Sequence, residues 1–85
     1  MNVADERVRR SNILWTVKER LEAEAHSCGN WAKEDIAKAL SANDDDMGRF
    51  FAYFAGSKAR EAASFASMAL DYKERIDKLN SGGDA

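Results

Sequence analysis

The chain contains no proline, and its five glycines stand only at positions 29, 48, 56, 82 and 83. Residues that break helices are therefore scarce. The long stretches between them are rich in Ala, Glu, Lys, Arg and Leu, which favour helix, and no segment predicts a strand. We predict an all-α fold in which three or four helices form one small bundle with a long C-terminal helix.

Cysteine is almost absent as well. Cys28 is the single cysteine, so the chain cannot form an internal disulfide. No apolar signal segment opens the sequence, and no apolar run approaches the roughly 18 residues that span a membrane. We therefore expect a cytoplasmic protein without a membrane partner.

Groups suited to catalysis or metal binding are few. His26 and Cys28 are two residues apart, so on a helix they point about 160° away from each other and cannot form a hydrogen-bonded dyad. These two ligands fall short of the roughly four that a structural zinc site needs. No glycine-rich phosphate loop follows a strand. We expect a protein that is not an enzyme and holds no cofactor or metal.

Three consecutive aspartates at 44–46 follow Asn43. A calcium loop needs alternating ligands over about 12 residues and a closing glutamate, and that spacing is missing. Asn43 can instead cap the next helix, with the aspartates in its first turn, where the helix dipole favours negative charge. We interpret the run as the start of a helix.

The net charge of −2 comes from 13 basic and 15 acidic residues that are well interspersed, so no strongly basic surface indicates nucleic acid. The apolar spacing over 36–51 nevertheless matches a helix-turn-helix, whose second helix enters the major groove with its first residues. Here those residues are aspartates, which DNA phosphates repel. A DNA-binding transcriptional regulator is therefore the alternative function, and its contacts would come from Arg7, Arg9, Arg10 and Arg49.

The apolar periodicity divides one domain, residues 1–80, into helices and leaves 81–85 as a disordered tail. The predicted helices cover 4–27, 31–41, an aromatic segment after the aspartates, and 57–80. Gly29 would end the first helix and Asn30 would cap the second. The predicted core is Ile13, Leu14, Val17, Leu21, Ile36, Leu40, Met47, Phe50, Phe51, Phe54, Phe65, Met68, Tyr72 and Ile76.

The joint at Gly56 and Ser57 has two interpretations. A heptad-like seam at 47, 51, 54, 58, 61, 65, 68 and 72 would continue across it in one helix of about 55 Å. That length would force an elongated, dimeric particle. However, the seam would then contain Lys58 and Glu61, so we favour a break, with Ser57 starting a new helix.

The final helix carries two apolar stripes where a small monomer needs one. The larger stripe is Ala62, Phe65, Met68, Ala69, Tyr72, Ile76 and Leu79. The smaller lies roughly 100° around the helix and comprises Ala59, Ala63, Ala66 and Leu70. On the first helix, Trp15 also lies off the core face, beside Val8. Tryptophan is over-represented among residues that dominate binding energy.

The surplus apolar surface and the absence of catalytic groups favour a small protein-binding protein. We expect a regulator, adaptor or inhibitor that occupies a partner protein's surface. The predicted partner or dimer interface comprises Val8, Trp15, Ala59, Ala63, Ala66 and Leu70, and the alanines would allow a homodimer. A small chain of this kind suits a phage or mobile-element antagonist of a host machine.

Overall fold

The computed structural model describes residues 3–81, which are almost entirely helical and confirm the all-α prediction. Helix α1 runs over Val3–Ser41 and helix α2 over Asp45–Asn80. The two helices form an antiparallel hairpin with extents of 64 × 17 × 12 Å. The predicted tail, 81–85, lies outside the described residues except for Ser81, which caps the C-terminal end of α2.

The helices contact each other along a seam whose residues recur in alternating steps of three and four. On α1 its members are Ser11, Leu14, Lys18, Leu21, Ala25, Cys28, Ala32, Asp35 and Ala39, followed by Ala42 just after the helix; on α2 they are Gly48, Phe51, Ala55, Lys58, Ala62, Phe65, Ala69, Tyr72, Ile76 and Leu79. All of these residues are buried or half-buried. A mean step of 3.5 residues is the heptad period, so the hairpin is an antiparallel two-stranded coiled coil.

Three contacts across the seam fix its register. They join the Lys38 ammonium to the Phe51 ring at 5.7 Å, the Lys58 ammonium to the Trp31 ring at 4.8 Å, and Cys28 Sγ to Glu61 Oε2 at 3.7 Å. In each pair the residue numbers sum to 89. Residue n of α1 therefore lies opposite residue 89 − n of α2.

Small side chains hold the helices close together. Ala55 and Ala69 of α2 and Ala32 of α1 are buried, and Ile76 is the fourth buried hydrophobic residue in the described part of the chain. Near the loop, a Cβ at Gly48 would lie 3.4 Å from the Ala39 carbonyl oxygen. Because alanine buries little apolar area, this seam supplies little hydrophobic free energy.

The predicted helix boundaries at the glycines are wrong. Gly29 and Gly56 lie inside continuous helices, and neither adopts the positive φ that ends a helix. Asn30 is therefore not a cap, and Ser57 does not start a helix. Each glycine costs about 1 kcal/mol relative to alanine, and the uninterrupted heptad seam offsets that cost. A single chain thus forms two long helices instead of three or four.

The predicted core is half correct. Leu14, Val17, Leu21, Phe51, Phe65 and Tyr72 are half-buried and Ile76 is buried. The other seven side chains are exposed: Ile13, Ile36, Leu40, Met47, Phe50, Phe54 and Met68. At alternate positions the predicted seam (47, 54, 61 and 68) lies one residue before the observed seam (48, 55, 62 and 69). It therefore placed large residues where the structure has glycine or alanine.

Candidate protein-binding faces

The hairpin has two lateral sides, and each presents apolar residues. We define the flat face by the exposed residues that flank the seam on this side: Val8, Trp15, Glu19, Glu22, His26, Lys33, Ile36 and Leu40 of α1, together with Ala52, Gly56, Ala59, Ala63, Ala66 and Leu70 of α2. We define the aromatic face, on the opposite side, by Ile13, Trp31, Met47, Phe50, Phe54 and Met68. All members of both faces are exposed.

The groove in the flat face shows that both helices contribute to it. Glu22 of α1 lines this groove together with Ala66 and Leu70 of α2. Lys18 lines it too, and its ammonium lies 4.5 Å from the centre of the Trp15 ring. The tryptophan therefore stands at the edge of the same groove.

The structure thus brings the predicted interface residues onto one side. Ala59, Ala63 and Ala66 are exposed, Leu70 is 58% exposed, and Trp15 is 48% exposed. Val8, seven residues before Trp15 on the same helix side, is exposed as well. In the sequence the α1 pair and the α2 stripe lie on different helices, and the hairpin register joins them into one face.

Trp15 is held in place by polar neighbours on α1. Its indole N–H donates a hydrogen bond to the Glu19 carboxylate, while Lys18 covers the ring and pairs with Glu22 at 3.1 Å. A cation over an indole face is attractive, and the aliphatic stem of lysine shields part of the ring. These contacts fix the orientation of an exposed aromatic side chain.

The aromatic face was not predicted from the sequence, because most of its residues were assigned to the core. Trp31 is 58% exposed. It lines a cleft with Lys38, Phe51 and Phe54. Phe50 packs edge-to-face on Phe51 and Phe54, with ring centroids 5.5 and 4.9 Å apart. The signal that could have found this face is the alternation of Ala55, Ala62 and Ala69 with Phe51, Phe65 and Tyr72 in steps of three and four, which marks the seam and leaves Phe50 and Phe54 beside it.

A polar cluster borders the aromatic face at mid-hairpin. Lys58 Nζ lies 3.3 Å from Glu61 Oε2 and also covers the Trp31 ring. The Cys28 thiol donates to the same carboxylate oxygen across the seam. Partial burial, followed by the negative charge of Glu61, raises the pKa of Cys28. The thiol is therefore a poor nucleophile at neutral pH.

The structure brings no catalytic constellation together from the predicted candidates. His26 is exposed, while Cys28 lies in the seam. Within residues 3–81, no group of three or more His, Cys, Asp or Glu residues is arranged to hold a metal ion. Over the same residues, neither helix contains a segment apolar enough to cross a membrane.

The four arginines of the DNA-binding alternative are not brought together. Arg9 and Arg10 pair with Glu6 at the open end of the hairpin, where Arg7 is also exposed. Arg49 lies at the loop end and pairs with Asp46 at 3.9 Å. These two groups occupy opposite ends of a hairpin 64 Å long.

The aspartate run starts a helix, as predicted, with the cap displaced by one residue. Asp44, not Asn43, is the N-cap: its carboxylate accepts a hydrogen bond from the Met47 backbone N–H at 2.8 Å. Asp45 and Asp46 occupy the first turn of α2, where the helix dipole favours their charge. The run thus has a structural role in reversing the chain.

Comparison of the chain with known protein families, curated proteins and solved structures found no match.

Proposed function

We propose that this chain is a non-enzymatic protein-binding protein, a regulator, adaptor or inhibitor that acts by occupying the surface of a partner protein. One observation supports this most directly. Twelve large hydrophobic side chains are exposed among the described residues. The four buried hydrophobic residues of the same part of the chain are three alanines and one isoleucine. Soluble monomers rarely leave contiguous apolar surface of this extent uncovered.

The aromatic face is the proposed surface for the partner. Trp31, Phe50 and Phe54 lie near the loop end, and two of them are linked by an edge-to-face ring contact. Aromatic side chains dominate binding energy when a partner covers them. Lys38 and Lys58 stand over rings at its border, which leaves the apolar centre flanked by charge. This arrangement of an apolar centre and a polar rim is typical of protein interfaces.

The flat face is the proposed surface for assembly with a second copy. Residues Val8, Trp15, Ala59, Ala63, Ala66 and Leu70 keep the interface role predicted for them. Small side chains along α2 permit close approach of another helix, as in tightly packed helical pairs. Two hairpins joined in this way supply the four helices that one chain does not form, and the homodimer becomes a four-helix bundle.

Site-specific photocrosslinking tests the partner-binding role. A benzophenone side chain replaces Phe50 on the aromatic face or, as a control, Arg60, which is exposed on the outer surface of α2. The experiment is done in cells of the organism that encodes the chain. Position 50 should crosslink to a discrete protein that position 60 does not capture.

Binding of the purified partner completes the test. The double variant Trp31→Ala with Phe54→Ala should weaken affinity by 30-fold or more, since buried aromatic anchors commonly contribute about 2 kcal/mol each. The variant Arg60→Ala should bind within about threefold of wild type. Equal affinities for the two variants, or equal crosslinking from positions 50 and 60, would refute the proposal.

The proposed setting is the cytoplasm, where a single free cysteine stays reduced. The role suits an antagonist of a host machine encoded by a phage or mobile element. The DNA-binding alternative gains no support, because its basic residues are divided between the two ends of the hairpin and most of them are paired with carboxylates.

A further inference from the structure

We propose that the occupant of the flat face is a second copy of this chain, placed antiparallel about a two-fold axis, with α2 against α2 and α1 against α1. This deepens the proposed assembly role and rests on it. The axis crosses α2 near residue 61 and α1 midway between residues 27 and 28. These points lie opposite each other in the hairpin register, so one axis serves both helix pairs.

The flat face of α2 is self-complementary about that axis. In the antiparallel arrangement Ala59 meets the partner's Ala63, and Gly56 meets the partner's Ala66. At the two ends, Ala52 meets the partner's Leu70, so the one large side chain of the stripe faces a small one. All these residues are exposed in the hairpin, and no charged side chain interrupts the α2 part of the face between 52 and 70.

The α1 side supplies charge complementarity. The same axis sets Glu22 against the partner's Lys33 and Glu19 against the partner's Ile36, and symmetry forms the Glu22–Lys33 ion pair twice. Trp15 meets the partner's Leu40, which is 84% exposed in the single hairpin. Glu22 and Lys33 are 11 residues apart on one helix, about 16 Å by helical rise, so they cannot pair within one copy.

The exposed area matches what a stable dimer needs. The chain exposes 6409 Å², whereas a folded monomer of 9.5 kDa exposes roughly 5,000 Å². Part of this excess of about 1,400 Å² reflects the elongated shape of the hairpin, and it leaves room for the roughly 800 Å² per partner that a standard interface buries. A hairpin with a thin alanine seam gains its missing hydrophobic burial in this way.

The aromatic face fails the same test of self-complementarity. Its apolar residues are concentrated toward the loop end, where Phe50 and Phe54 lie. About the same axis, an antiparallel second copy would set Met47 against the partner's Arg75 and Phe50 beside the partner's Asp71, and only Phe54 would meet an apolar residue of the face, Met68. This leaves the aromatic face for a different protein and assigns the second copy to the flat face.

A charge swap tests the arrangement. Glu22→Lys and Lys33→Glu are made singly and together, and the dimer dissociation constant is measured by sedimentation equilibrium. Each single variant should weaken the dimer by at least tenfold, and the double variant should recover most of the wild-type affinity. Glu22→Lys also breaks the ion pair with Lys18 within one copy. Because Lys33→Glu cannot restore that pair, any recovery of affinity in the double variant comes from a contact across the interface.

Two further variants keep the test decisive. Ala63→Glu should give a helical monomer, while Ala23→Glu, on the exposed outer surface of α1, should remain a dimer. Absence of rescue in the charge swap, or a dimer that survives Ala63→Glu, would overturn the arrangement. If monomeric Ala63→Glu still crosslinks to the partner protein through a benzophenone at position 50, assembly and partner binding are independent properties.

Discussion

Lys58 of α2 places its ammonium 4.8 Å from the centre of the Trp31 ring of α1 and 3.3 Å from a Glu61 carboxylate oxygen. A lysine at a seam position of a coiled coil is normally unfavourable because burial removes its hydration. Here the Trp31 ring and the Glu61 carboxylate compensate for the lost hydration, and the aliphatic stem of Lys58 covers the seam. This contact orders the border of the aromatic face, and Glu61 extends it to Cys28.

The Cys28 thiol should titrate above its ordinary pKa of 9.0, because partial burial and the Glu61 charge both favour the protonated form. Glu61→Gln removes that charge and should move the pKa downward. The pH dependence of alkylation by iodoacetamide measures the midpoint in each protein. An unchanged midpoint in Glu61→Gln would show that the carboxylate does not act on the thiol.

The same shift has a consequence for stability. A raised pKa in the folded state means that the thiol contributes stability that is fully present below the pKa of the unfolded chain and is lost as the pH rises through the folded-state pKa. The free energy of unfolding should therefore fall more in wild type than in Cys28→Ala as the pH rises past 9. Parallel pH profiles for the two proteins would contradict this.

Asp44 should stabilise the start of α2. Asp44→Ala removes the acceptor of the Met47 backbone N–H and should lower the free energy of unfolding by about 0.5–2 kcal/mol. Asn43→Ala serves as the matched control, since Asn43 is outside the helix and is not its cap; it should change stability by less than about 0.5 kcal/mol. Urea unfolding followed by circular dichroism distinguishes the two, and a larger effect at Asn43 would restore the cap that the sequence predicted.

The alanine seam should not tolerate larger side chains. Ala55 is buried against α1, so Ala55→Leu should force the helices apart and cost about 1–3 kcal/mol of stability. Ala37→Leu adds the same atoms on the exposed outer surface of α1 and should be close to neutral. Thermal unfolding at matched protein concentration compares them, and a stabilised Ala55→Leu would mean that the seam is looser than the structure shows.

The sequence predicted the helices better than their ends. Amphipathic spacing and the lack of proline gave the all-α fold, and the exposure of Ala63, Ala66 and Trp15 followed from their positions off the main stripe. The helix ends predicted at Gly29 and Gly56 were wrong, because a glycine ends a helix only when no stronger interaction favours its continuation. Here the heptad seam between the two helices favours continuation, and that seam becomes visible only when both helices are aligned.

The aromatic face was hidden for a related reason. Phe50 and Phe54 have the composition of a core, and a single sequence ranks large apolar residues as the most buried. In this hairpin, alanines occupy the inner positions, so Trp31 and the phenylalanines lie beside the seam. Which of two apolar stripes faces inward depends on the partner helix, and that information is not local.

The most direct test of the account is the mass of the chain in solution, measured by size-exclusion chromatography with light scattering. The hairpin exposes about a quarter more surface than a folded monomer of its size, so we predict a mass near twice the 9.5 kDa of the chain. In the same measurement Ala63→Glu should give 9.5 kDa with its helicity retained. A wild-type chain that remains a stable, cooperatively unfolding monomer would contradict the account.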